Sequence, residues 1–338
     1  MVRAILSLEE LRELTLVSTE RQIHSPLGRV PYILMSRKIF RQLRQASYQD
    51  WIVRYLASAP CPVIGVGADP EDPEILAACD VVVESEADLV AILATIDHAP
   101  FAAMVLVQVL RATPAMTIRD ALTLESLAYA SLQAGPEFAG WLATRSLSNS
   151  YRPPDDEVSA ILTERTGNRV SIMLNQPRRR NAISVVLRDA LCEALELVVA
   201  DLEIELASIS GAGRCFSIGG ALDEFGTAPD AARAHAIRSV RLPALLLSQC
   251  ADRVEFRLHG ACIGAGAELP AFSRRVLAAP NTFFQLPELR FGLIPGAGGC
   301  VSLPRRIGRH RTAYLALTGR RLSAVKALAW GLVDALIE

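Results

Sequence analysis

Two glycine-bearing turns could hold an anion: Cys215-Phe216-Ser217-Ile218-Gly219-Gly220-Ala221 and His259-Gly260-Ala261-Cys262-Ile263-Gly264-Ala265-Gly266-Ala267-Glu268. Each follows a strand-like run and opens a helical one. At such a junction the first helical N–H groups have no carbonyl partner and can point at negative charge. Glycine there permits positive φ and lets a ligand come close to the backbone. Two N–H donors converging on one carbonyl oxygen form an oxyanion hole, in which each is worth about 3–4 kcal/mol of transition-state stabilisation. Taken singly, each turn is equally a tight turn and nothing more. Glu268 falls three residues after Ala265, which puts its carboxylate on the helix face that carries the free N–H. Ala267, Leu269 and Pro270 around it are apolar, and a lone carboxylate buried among them is costly. Glu288, in Gln285-Leu286-Pro287-Glu288-Leu289, is a second acid in apolar company. Two such acids facing one water would split their proton affinities, leaving one to accept a proton and the other to donate.

The elements that must position these groups alternate. Residues 169–174 read as a strand, 185–200 as a helix with Ser184 at its N-cap, and 204–210 as the next strand. Further strands are expected at 254–258, 276–279 and 283–286, with helices at 265–272 and 298–307. Short strands alternating with helices indicate an α/β class with right-handed crossovers. A linker is expected at 149–157, where Ser-Asn-Ser-Tyr-Arg-Pro-Pro-Asp-Asp-Glu spans residues 148–157. It divides an N-terminal extension, residues 1–150, from a core at 158–338. In the extension, 62–67 and 80–84 read as strands, and 73–78 and 86–96 as helical. The apolar run 101–110 fits a strand or a buried helix. Residues 117–141 are helical, broken at Gly135-Pro136. Gly65 and Gly67 follow a strand, but Pro70 occupies the third position of a dinucleotide-binding G-x-G-x-x-G, so a tight turn is the better reading. The extension is thus a small mixed α/β and helical region with no chemical signature.

Composition excludes several classes. The 338 residues are 51% hydrophobic and 21% charged with a formal net charge of -1, an ordinary globular balance that offers no positive surface for nucleic acid. No run is long and apolar enough for a membrane span. The seven cysteines are odd in number and scattered, which reads as reduced buried thiols; with the charged stretch Glu9-Glu10-Leu11-Arg12-Glu13 near the start, a cytoplasmic location is expected. The five histidines form no metal-ligand spacing, so no metal is expected. Arginine clusters at 178–180, 305–306 and 320–321 could each hold a phosphate or simply face solvent.

Taken together the motifs resemble the crotonase (enoyl-CoA hydratase/isomerase) superfamily over residues 160–338. The resemblance rests on the run from Gly260 to Leu269, followed by Phe284-Gln285-Leu286-Pro287-Glu288-Leu289-Arg290-Phe291-Gly292-Leu293-Ile294-Pro295-Gly296-Ala297-Gly298-Gly299. Supporting pieces occur in order: Leu174-Asn175-Gln176-Pro177 through Ile183, Phe216-Ser217-Ile218-Gly219-Gly220, Leu317 through Ala324, and Gly331-Leu332-Val333. The resemblance implies a crotonase-like spiral of ββα units. It implies that the N–H groups of Gly220 and Ala265 form the oxyanion hole and that Glu268 and Glu288 are the catalytic pair. It implies an acyl-CoA substrate with its adenine and pantetheine held by the Ser217, Ile218 and Ala221 loop and its phosphates by Arg178 or Arg180, no cofactor beyond that CoA, and a homotrimer or hexamer. A glutamate pair points to a hydratase adding water syn across a trans-2-enoyl-CoA. Isomerisation, thioester hydrolysis, cofactor-free oxygenation and a non-catalytic binding role remain alternatives. Ala221 stands where relatives often carry Asp, which puts the rigidity of that loop in question, and Arg275 where they frequently carry Asp. Relatives continue past Gly331-Leu332-Val333 with helices that cover the site; residues 117–141 are expected to take their place.

Overall fold

The computed structural model describes residues 5–46, 49–67, 73–145 and 159–337; the linker expected at 149–157 lies outside them. Strands β1 (Ile33–Ser36), β2 (Val63–Val66) and β3 (Val81–Val83) form a parallel sheet in the order β1-β2-β3. The second half carries β4 (Ile161–Thr166), β5 (Arg169–Leu174), β6 (Leu206–Gly211), β7 (Val254–Leu258), β8 (Ala261–Ile263), β9 (Arg275–Ala278), β10 (Phe283–Gln285), β11 (Leu322–Ser323) and β12 (Ala335–Leu336). A six-stranded sheet runs β12-β9-β7-β6-β5-β4, parallel except where β4 and β5 pair antiparallel, and a three-stranded sheet runs β11-β10-β8. Chain order therefore steps from one sheet to the other and then to helix: β7, β8, helix Ala265–Glu268; β9, β10, helix Gly299–Ile307.

Local chemistry explains where these elements stop. Ser184 caps helix Val185–Ala200 by accepting the Leu187 N–H at 3.2 Å. The apolar run after residue 100 is helix Pro100–Ala112, settled by Pro100 in its first turn and by the Glu137 carboxylate, which accepts the N–H groups of Phe101 and Ala102 at 2.7 and 2.9 Å. The helix expected at 265–272 is shorter. It ends at Glu268, and Pro270, which has no N–H to continue the ladder, begins a 3-10 turn Pro270–Phe272. The turn after β6 departs from expectation too: it leads into the 3-10 turn Leu222–Glu224 and opens no α-helix, so Gly220 owes its free N–H to something other than a helix start.

One apolar cluster crosses the expected boundary. Leu106, Leu110, Leu122 and Phe138 pack in the same core as Leu258, Leu293, Val301 and Leu317. Polar contacts tie the two parts as well. Asp80, 1% exposed, receives Arg111 twice at 2.8 and 2.6 Å, Arg309 at 3.2 Å and the Val63 N–H at 2.8 Å. Those bonds offset the desolvation of the buried carboxylate, and removing either arginine would leave part of that cost uncompensated. All seven cysteines are buried and free. No single helix among the described residues is long and apolar enough to cross a membrane.

Candidate active site

Ser217 bridges Cys262 and Ile183 bridges Gly220, both in parallel, so the turn 215–221 lies alongside β8. The two glycine turns press together. A Cβ on Gly219 would come within 2.7 Å of the Ile263 carbonyl oxygen, and one on Gly266 within 2.7 Å of the Ser217 carbonyl oxygen. That contact brings Gly220 and Ala265 to one cavity of about 390 Å³, which Glu268, Glu288 and Ala221 also line. Among the described residues, neither the Gly220 N–H nor the Ala265 N–H donates to a protein acceptor.

Ser217 is placed otherwise than the sequence suggests. It is fully buried, its N–H donates to Ala261, its carbonyl accepts from Ile263, and its hydroxyl donates to the Asn181 carbonyl at 2.7 Å while accepting the Gly219 N–H. Every polar group is engaged within the fold, so Ser217 braces the turn rather than touching a ligand. Ile218 donates its N–H to Arg180, and Arg178 and Arg180 are exposed; none of the three lines the cavity. The Asp missing at position 221 is compensated by Asn181, whose side chain donates to Ala212, Cys215 and Phe216 at 2.9–3.1 Å, and by the Arg179–Asp223 ion pair at 2.6 Å.

The two acids are close. A Cβ on Gly264, which has φ +51°, would lie 2.6 Å from Glu288 Oε1 and 3.8 Å from Glu268 Oε1. Glu268 is 2% exposed and its Oε2 accepts the N–H groups of Ala297 and Gly299 at 2.8 and 2.9 Å. Glu288 Oε2 is buried and has no protein partner among the described residues. Burial raises the Glu268 carboxyl to about 7 against the pull of those two N–H groups. Burial, reinforced by Glu268, holds Glu288 well above the ordinary range. Both carboxyls thus hold a proton more tightly than an ordinary glutamate, as groups that exchange protons near neutral pH must.

Four groups escape a reading of the sequence. Glu125, on helix Ile118–Gln133, accepts the Gly298 N–H at 2.7 Å and the Cys300 N–H at 2.8 Å. Amides 297 to 300 therefore alternate between Glu268 and Glu125 at the start of helix Gly299–Ile307, where the helix dipole favours negative charge. Tyr129 and Gln133 follow Glu125 on the same helix face and line the cavity. Gly296 is small because Tyr129 presses on it: a Cβ there would fall 2.2 Å from the ring. Arg238, on helix Ala231–Val240, lines the cavity beside Tyr129 and Gln133, in contact with both. The available signal was an acid on the buried stripe of a helix, one turn after Ala121 and Leu122.

Burial, then Glu268, raises the Glu125 carboxyl well above its usual value, against the Gly298 and Cys300 N–H groups and Arg238. A carboxyl with a raised folded pKa contributes stability that is fully present below about pH 4.5 and is lost as pH rises through the folded value. Glu125→Gln removes that loss, so the melting temperature of the variant relative to wild type is expected to rise between pH 4.5 and pH 8. Paired thermal melts at both pH values check this, and a difference moving the other way counts against it.

The helical part of the N-terminal region also closes one side of the cavity. Trp141 packs against Phe138, Phe225 and Phe291 with ring centroids 5.6, 6.1 and 4.9 Å away, which seats helix Pro136–Thr144 on the cavity-lining loop that contains Phe225.

Comparison with known proteins agrees with this architecture. A family model described as enoyl-CoA hydratase/isomerase matches residues 164–338. A probable mitochondrial enoyl-CoA hydratase from Dictyostelium discoideum is 31% identical over 183 residues, covering 52% of this chain and 62% of its own length. The 1,2-epoxyphenylacetyl-CoA isomerase of Escherichia coli is 33% identical over 175 residues, covering 50% of this chain and 66% of its own. The chain thus spans somewhat less than two thirds of these relatives. The crystal structure of an enoyl-CoA hydratase/carnithine racemase from Magnetospirillum magneticum superposes with a TM-score of 0.50 at 26% identity, covering 54% of this chain and 69% of that one. With a family match over its second half and the ββα spiral in common, the chain belongs to the enoyl-CoA hydratase/isomerase family of the crotonase superfamily.

Proposed function

We propose that the chain is an enoyl-CoA hydratase that adds water syn across the 2,3 double bond of a trans-2-enoyl-CoA. The observation that carries the reading is the meeting, in one cavity, of two N–H groups that among the described residues donate to no protein acceptor and two buried carboxyls of raised proton affinity. The thioester oxygen accepts from Gly220 and Ala265, which makes C3 electrophilic. Glu268, raised to about 7, takes a proton from water as the water oxygen bonds to C3. The π electrons move toward C2 and the thioester oxygen, and Glu288 delivers its proton to C2 as the carbonyl re-forms. The sum is one water added, and the two acids return to their starting states by proton exchange. Both acids border the one Gly264 position, which supports delivery of both parts of water to the same face. Arg178 and Arg180, exposed beside the turn carrying Gly220, are the proposed cations for the CoA phosphates, with Ile218 and Ala221 offering backbone to adenine and pantetheine.

The test is incubation with crotonyl-CoA. Loss of the conjugated thioester absorbance with formation of 3-hydroxybutyryl-CoA is expected. No hydration, together with conversion of a 3-enoyl-CoA to its 2-enoyl isomer, would replace the hydratase by an isomerase. Because Glu268 must be ionised to accept a proton, kcat/KM is expected to rise about tenfold per pH unit below about 7 and then level. A flat profile across that range would remove Glu268 as the base.

A further inference from the structure

The cavity carries a cation that hydration does not use. Arg238 lines it and is held rigidly: Nε donates to Ser126 Oγ at 3.1 Å, Nη1 to Gln133 Oε1 at 3.0 Å and Nη2 to the Ser126 carbonyl at 3.3 Å. Its guanidinium carbon lies 4.6 Å from the centre of the Tyr129 ring. All of these partners are neutral. Among the described residues no carboxylate pairs with Arg238, and Glu125, the acid nearby, spends its oxygens on the Gly298 and Cys300 amides. A guanidinium has five N–H donors in a fixed fork. Three are engaged, which leaves one on each terminal nitrogen for a ligand carboxylate to accept. Around this fork the cavity is mostly apolar, with Ile183, Val185, Phe225 and Ile237 suited to methylene groups.

We infer that Arg238 selects acyl chains ending in a carboxylate, so that the substrates are enoyl-CoA thioesters of dicarboxylic acids. The inference rests on the acyl-CoA reading of the cavity and deepens it. A partly buried guanidinium whose hydrogen-bond partners are all neutral carries a desolvation cost that no bonded carboxylate among the described residues offsets, and burial lowers its proton affinity against the pull of Tyr129 and Glu125. A terminal carboxylate supplies the missing charge. A terminal methyl does not.

The experiment measures binding rather than turnover. Saturated acyl-CoA esters ending in carboxylate, in carboxamide and in methyl are titrated calorimetrically into the full chain at matched chain lengths. The carboxylate series is expected to bind at least about tenfold tighter than both neutral series, the scale of a charged hydrogen-bonded pair. In Arg238→Met the preference is expected to collapse to near unity, and in Arg238→Lys to fall to an intermediate value. Equal or weaker binding of the carboxylate series by wild type overturns the inference and leaves the acyl-CoA reading intact, as does an Arg238→Met variant that keeps the preference. If Arg238→Met fails to fold, the wild-type comparison of carboxylate with isosteric carboxamide decides alone. Binding of none of the three series overturns the acyl-CoA reading, and the inference with it.

Discussion

Glu288→Gln and Glu268→Gln are each expected to lower kcat for crotonyl-CoA hydration by about 10²–10⁴-fold, the usual contribution of a positioned acid or base. The substitutions keep side-chain shape, so the loss reports proton transfer. At position 288 the buried Oε2 has no protein partner to lose, and the variant should fold as wild type does. At position 268 the amide oxygen can still accept from Ala297 and Gly299, the two N–H groups now bound by one carboxylate oxygen. Removal of both acids should cost little more than removal of one, because neither transfer proceeds without the other. Single-turnover hydration measured beside calorimetric binding of a CoA ester separates chemistry from affinity. Hydration within tenfold of wild type in both variants would end the assignment of the pair.

The two glycine turns were legible in the sequence because they depend on local rules. Glycine at 219, 264 and 266 marks close approach, and Glu268 follows Ala265 by a spacing that a helix converts into proximity. Helix Val185–Ala200 is likewise written in its own residues, from the Ser184 cap to the apolar stripe of Leu187, Leu191 and Leu195. What stayed hidden depends on the tertiary fold. Glu125 meets the Gly298 amide across 173 residues of chain, and no local pattern encodes such a meeting. Ser217 stood among the CoA contacts that the family resemblance implies; Asn181 and Ala261 engage its hydroxyl and N–H only once the turn docks on β8. The alternative of strand or helix at 101–110 was decided by Glu137, a cap supplied from another helix. The N-terminal region read as chemically silent for the same reason. Its acid, phenol and amide at 125, 129 and 133 gain meaning from the elements they face.

That dependence makes the proposed oxyanion donors the most direct probe of the chemistry, because they are backbone and no ordinary substitution removes them. Ala265→Pro does. Position 265 begins its short helix, where proline is tolerated and where the missing N–H has no helical acceptor to abandon. Among the described residues the Ala265 N–H donates to nothing in the protein, so the substitution breaks no hydrogen bond of the fold. The expected result is a loss of about 10²–10³ in kcat, the effect of deleting one oxyanion donor, with the circular dichroism spectrum and melting temperature close to wild type. The ring also places carbon where the N–H pointed, so crowding must be distinguished from lost stabilisation. Crowding weakens binding of substrate and of saturated ester alike. Loss of a donor acts on the transition state, lowering kcat while ester binding persists. A folded Ala265→Pro protein with kcat within tenfold of wild type would mean that charge on the thioester oxygen is met elsewhere, and the pairing of Ala265 with Gly220 would then be a feature of the turn alone.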